Sequence, residues 1–121
     1  MPARPTSSPS QFVQCAPLLM VTDVLGTTRY YQEVLGYTCD FASKDYGVVW
    51  RENCAIHFAP AEAAPTGVRI FNWLNDVDSY YNEIKSNGAN ITVDIGDRDY
   101  NMRDFCIEDC NGITVVFGQD I

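Results

Sequence analysis

Apolar positions along this chain follow two periods, and each change of period marks an element. From Cys15 to Val21 the run is continuously apolar, as expected of a strand covered on both faces, and Asp23 then opens a turn. Between Thr27 and Leu35 the period becomes helical, with Tyr30, Tyr31, Val34 and Leu35 on one side, Thr27 or Thr28 as candidate N-cap and Gly36 as the stop. Short strand-like runs follow over 37–41, 47–51 and 55–59, separated by Ser43-Lys44-Asp45 and Glu52-Asn53-Cys54. Pro60 to Gly67, rich in alanine and proline, breaks the pattern. Beyond it come a strand over 68–74, a helix from Asp76 and Asp78 to about Ser86 that ends at Asn87-Gly88, and strands over 91–95, 103–107 and 113–117. The last two strands are joined by a turn whose Asn111-Gly112 is a strong hairpin signal.

One order of elements is therefore written twice. Asp23-Val24, Tyr30-Tyr31-Gln32-Glu33 and Gly36 return as Asp76-Val77, Tyr80-Tyr81-Asn82-Glu83 and Gly88, with the first interval three residues shorter in the second copy. The expected fold class is α+β, built from two βαβββ units over about 12–60 and 67–119. With 121 residues the units must share a single domain, 12–121, preceded by a disordered N-terminal tail over 1–11 with prolines and serines but no apolar period.

Composition narrows the partners. A net charge of −8, with the acids concentrated in the second half, disfavours nucleic acid and anionic membranes and mildly favours cationic ligands. No apolar run approaches the roughly 18 residues of a membrane span, and the N-terminus lacks a basic-then-apolar leader, so the expected location is cytoplasmic. The five cysteines are an odd number without scaffold spacing and read as reduced thiols packed as small hydrophobes.

Three stretches carry a resemblance to a known family: Leu18-Leu19-Met20-Val21-Thr22-Asp23-Val24, then Tyr30-Tyr31-Gln32-Glu33-Val34-Leu35-Gly36, and Arg103-Asp104-Phe105 leading to Asp109-Cys110-Asn111-Gly112. Together they resemble the vicinal oxygen chelate superfamily, which includes glyoxalase I, extradiol dioxygenases, fosfomycin resistance enzymes and bleomycin resistance proteins. The last stretch is similar to that superfamily's Asp-Pro-Asp-Gly turn, with Cys110 and Asn111 in place of the proline and second aspartate. The resemblance implies cup-shaped mixed sheets with helices on their outer faces, two cups forming one cavity. It also implies four metal-ligand positions, which fall on Ala16, His57, Arg69 and Val116. A methyl, a guanidinium and an isopropyl group cannot coordinate, and His57 is the only histidine in the chain, so neither a metal nor another cofactor is expected.

Strand alternation names the walls of the expected cavity. Leu18 and Met20 face it from the first strand, His57 from the fourth, Arg69, Phe71 and Trp73 from the fifth and Val116 from the last, with Trp50 near the end of the third. Aromatic walls with a few polar groups suit a flat aromatic or amphipathic ligand. Trp50 and Trp73 also read as plain core, and Arg69 as half of an internal salt bridge with Glu52 or an acid of the last hairpin. His57, the only catalytic candidate, is either a general base or a neutral hydrogen-bonded wall residue. Tyr100 and Met102 lie where many superfamily members have a loop over the cavity mouth, and are candidate gate residues or ordinary loop packing.

Within the superfamily the chain most resembles the metal-free bleomycin resistance proteins, acidic dimers that sequester a cationic glycopeptide. The expectation is a homodimeric protein that sequesters an aromatic or cationic small molecule in a metal-free cavity. The alternative is a lyase or dioxygenase of the same superfamily. A scaffold or regulatory role is the third reading.

Overall fold

Asp23 and Asp76, which head the two repeated Asp-Val pairs, set where both helices begin. In the computed structural model, which describes residues 11–121, each carboxylate accepts a backbone N–H three residues on, from Gly26 at 3.0 Å and from Ser79 at 3.1 Å. The expected tail lies, apart from residue 11, outside the described residues.

The chain runs β1 (Leu18–Val21), α1 (Val24–Glu33), β2 (Thr38–Ala42), β3 (Gly47–Arg51) and β4 (Cys54–Pro60), then β5 (Arg69–Trp73), α2 (Val77–Ser86), β6 (Asn90–Arg98), β7 (Met102–Glu108) and β8 (Thr114–Asp120). Both units order their strands identically, β1-β4-β3-β2 and β5-β8-β7-β6, with one parallel pair each (β1 with β4, β5 with β8) and the rest antiparallel. This is the α+β architecture of two βαβββ units that the sequence pattern predicts.

Two expectations are corrected at the first helix and strand. α1 starts at Val24 and is capped by Asp23, so Thr27 and Thr28 are buried helical residues and not caps. β1 starts at Leu18, three residues later than the apolar run, because Pro17 has no N–H to give a ladder.

Aligning the helices on their caps changes how the repeat is read. α1 buries Val24, Thr27, Thr28 and Tyr31, and α2 buries Val77, Tyr80, Tyr81 and Ile84, the same four positions counted from the capping aspartate. The tyrosine pairs are thus not equivalent: Tyr31 corresponds to Ile84, and Tyr80-Tyr81 to Thr27-Thr28.

Both helix-covered faces join one core, in which Tyr31, Phe58 and Val49 of the first unit pack in the same cluster as Ile84, Phe105 and Phe117 of the second. Polar groups tie the units together there. Tyr31 Oη donates to Asp109 Oδ2 at 2.7 Å and Tyr80 Oη to the Leu35 carbonyl at 2.7 Å. Arg51 forks onto Glu83 at 2.7 and 3.0 Å and also donates to the Gly36 carbonyl at 3.2 Å. Gly36, at φ 74°, takes the left-handed turn after α1 that a side chain would strain. Burial, with Asp109 second, raises the Tyr31 phenol well above its ordinary range; burial first, then Asp109, lifts Tyr30 to about 12.

Candidate functional site

Each sheet uses one face for the shared core and leaves the other face open. In β1, Leu19 and Val21 are buried at 5% and 0% exposure, while Leu18 and Met20 stand at 52% and 45%. Register carries that open face across the sheet: Leu18 pairs with His57, His57 with Val48, and Trp50 with Ala55. Trp50, Phe41, Leu18 and Met20 are the large exposed apolar groups of the first cup. Its polar centre is His57, whose Nδ1 lies 2.6 Å from Tyr46 Oη, with the two rings edge to face. The orienting partner of His57 is a phenol and not a carboxylate. Ala16 precedes β1.

On the second sheet Arg69, Phe71 and Trp73 share the open face of β5, and the rings of Phe71 and Trp73 are 4.6 Å apart. Val68 and Ile70 turn the other way and pack against the core. In β7, Phe105 and Ile107 enter the core, so Met102, Asp104 and Cys106 face the cup beside Gly118 and Val116 of β8. Arg69, Phe71, Val93, Arg98, Tyr100, Asp104, Cys106 and Val116 line an open cavity of about 440 Å³.

Charge in this cavity is organised around Asp104, which is 3% exposed. Arg98 Nε donates to Asp104 Oδ1 at 2.7 Å, and the Tyr100 hydroxyl donates to Oδ2. A buried carboxylate is tolerated because both oxygens are met. The hydrogen bond to Asp104, more than burial, raises the Tyr100 phenol above its ordinary value. Burial and then Asp104 push the Cys106 thiol up, and Arg69 beside it offsets part of that. A thiol held protonated in this way is a poor nucleophile.

The residues expected from the sequence distribute over both cups. Leu18, Met20, Trp50 and His57 lie on the first, and Arg69, Phe71, Trp73, Tyr100 and Val116 on the second. Met102 is corrected: it begins β7, is fully buried and so cannot gate an entrance. Its thioether fills the space over Gly118, where a Cβ would lie 2.9 Å from Met102 Cε and 3.1 Å from Phe71 Cζ. Tyr100 remains 48% exposed at the cavity edge. Neither Glu52 nor an acid of the β7–β8 turn pairs with Arg69; among the described residues Arg69 forms no ion pair.

Arg98, Asp104, Cys106 and Val93 are cup residues that the sequence pattern missed. For Asp104 and Cys106 the signal was available, because Phe105 and Ile107 as core residues send their neighbours to the opposite face. Arg98 was hidden by the length of β6, which runs three residues past the expected end at 95.

The positions implied for a metal hold Ala16, His57, Arg69 and Val116, and among the described residues no group of three or more His, Cys, Asp or Glu gathers elsewhere. That donor set does not fit a divalent cation held by about three ligands. A second open crevice, about 610 Å³, lies between the 64–68 linker and the turn at 111–114, but its wall carries no titratable group besides Arg69. The five cysteines are free thiols, and no helix among the described residues is long and apolar enough to cross a membrane.

A sequence profile of the Glyoxalase/Bleomycin resistance protein/Dioxygenase superfamily matches residues 11–117. A comparison with curated proteins finds no match. Among solved structures, the bleomycin-binding protein of bleomycin-producing Streptomyces verticillus, in complex with copper(II)-bleomycin, superposes with TM-score 0.77 at 21% identity, covering 88% of this chain and 95% of that one. A bleomycin resistance determinant encoded on the transposon Tn5 gives 0.78 at 18%, covering 88% and 97%. A glyoxalase-related enzyme from Clostridium phytofermentans gives 0.77 at 21%, covering 93% and 100%. At these identities the likeness carries the fold.

Proposed function

Because the chain belongs to the glyoxalase/bleomycin resistance protein/dioxygenase superfamily, we propose that it is a small-molecule binding protein that sequesters an aromatic or amphipathic ligand in a metal-free cavity. The observation that carries this reading is the contrast between the two faces of each sheet. The core faces are closed, whereas the cup faces keep Leu18, Phe41, Trp50, Trp73 and Val93 at 38% exposure or more. Large apolar groups held open on one face mark a surface made to be covered. Aromatic rings there offer stacking area, and the few polar groups fix orientation.

Catalysis has weaker support. His57 is oriented by Tyr46, and a neutral phenol stabilises an imidazolium less than a carboxylate does. The bleomycin-binding neighbours support sequestration as the activity. We further propose that two copies pair cup to cup, which covers both open faces and encloses the ligand between chains.

Equilibrium dialysis of chelator-treated protein against a planar aromatic compound, followed by mass spectrometry of the recovered ligand, tests the reading. Retained and chemically unchanged ligand is expected; conversion to a product would replace sequestration with catalysis.

A further inference from the structure

The cavity wall of the second cup carries more cations than anions in a chain of net charge −8. Its cavity is lined by two guanidinium groups, Arg69 and Arg98, and a single carboxylate, Asp104. Both oxygens of that carboxylate are engaged, one by Arg98 and one by Tyr100, so Asp104 is the charge partner of Arg98. Among the described residues Arg69 has no equivalent partner. Among the described residues it forms no ion pair, and its polar neighbour in the cavity is the Cys106 thiol, a weak acceptor. Glu108 stands on the same face, since Arg69 and Glu108 both pair with Thr114, yet it lies outside the cavity wall and makes no ion pair with Arg69.

A guanidinium presents planar, paired N–H donors that match an oxyanion in bidentate fashion. Next to these donors the cavity is apolar, with the Phe71 ring, Val93 and Val116. A planar anion-binding fork beside an aromatic platform is complementary to a ligand with an oxyanion at one end of a ring system. A cation entering the same space would meet two guanidinium groups and a single carboxylate already paired with one of them.

We propose that this cup binds the oxyanion head of an aromatic or amphipathic ligand, a carboxylate or phosphate monoester, with Arg69 as its bidentate partner and Phe71 as the platform for its ring. The inference deepens the binding function proposed above and rests on it.

Four probes of one shape test it by isothermal titration calorimetry on the full chain: 2-naphthoate, 2-naphthyl phosphate, 2-naphthamide and 2-naphthylmethylammonium. At least one anion is expected to bind about tenfold or more tighter than the amide, with the ammonium weakest, and the tighter anion identifies the head group. Arg69→Gln should bring the anions down to the amide's affinity, and Arg69→Lys should keep part of the preference. Equal binding of anions and amide, or a preference that survives Arg69→Gln, overturns the anion site and leaves an aromatic cup standing. If none of the four binds, the anion site falls, and the binding function then stands only if bleomycin binds. If Arg69→Gln does not fold, as read by far-UV circular dichroism, the wild-type series and Arg69→Lys still decide.

Discussion

The Tyr31 hydroxyl donates to Asp109 Oδ2 at 2.7 Å across the boundary between the two units, joining α1 to the β7–β8 turn. The other oxygen of Asp109 accepts the N–H groups of Asn111 and Ile113, so this one carboxylate shapes the turn and anchors it to the opposite unit. Tyr31→Phe removes the donor and leaves a buried acceptor unmet, which is expected to cost about 1–3 kcal/mol. Urea unfolding with an unchanged slope and a lowered midpoint is the expected result; an unchanged midpoint would show that the contact does not couple the units.

Alkaline stability follows from the same tyrosines. Tyr31, Tyr37 and Tyr80 are raised chiefly by burial, and Tyr30 is raised to about 12. Their folded-state values lie above the unfolded value near 10. The stability they contribute is therefore fully present below about pH 10 and is lost as pH rises toward the folded values, because the unfolded chain releases these protons first. Melting temperature should be flat with respect to these groups up to about pH 10 and fall steeply above it. A Tyr31→Phe variant should fall less steeply, and an identical slope would count against the assignment.

Removing one aromatic from each face of the first sheet should have opposite consequences. Phe58 is fully buried in the core, so Phe58→Ala is expected to cost about 3–5 kcal/mol. Trp50 is 40% exposed on the cup, so Trp50→Ala should cost less than about 1 kcal/mol in the isolated chain while weakening ligand retention. Comparable losses of stability for the two would mean that Trp50 is core.

Arg98→Met leaves Asp104, 5% exposed at its side chain, with only the Tyr100 hydroxyl. A cost on the order of 2–3 kcal/mol is expected, since an uncompensated buried carboxylate is the penalty. Arg98→Met combined with Asp104→Leu should recover most of it, and no recovery in the double variant would refute the pairing.

The architecture was legible wherever the signal was local. Asp23 and Asp76 followed by apolar residues at helical spacing mark two helices, and Asn111-Gly112 marks the last hairpin. The paired tyrosines were a misleading ruler, because a helix face is defined by distance from its cap and Tyr30-Tyr31 sits one turn later than Tyr80-Tyr81. The cup residues of β5 were legible from alternation around Arg69. Met102 and Arg98 were not: each lies at the end of a strand, and a boundary error of one to three residues moved Met102 into a loop and Arg98 out of a wall. Whether a side chain on an open face is covered depends on a second surface, and that information is not local to any strand.

The chain has two tryptophans, Trp50 on the first cup face and Trp73 on the second, so intrinsic tryptophan emission reports on the open faces. The most direct test is therefore a titration of chelator-treated protein with 2-naphthyl phosphate and with bleomycin, exciting tryptophan at 295 nm. Saturable change in emission with at least one of them, at a stoichiometry no greater than one ligand per chain, is the predicted result. Emission unchanged to millimolar concentrations of both, or a response that appears only after a divalent metal is restored, would contradict a metal-free binding cup.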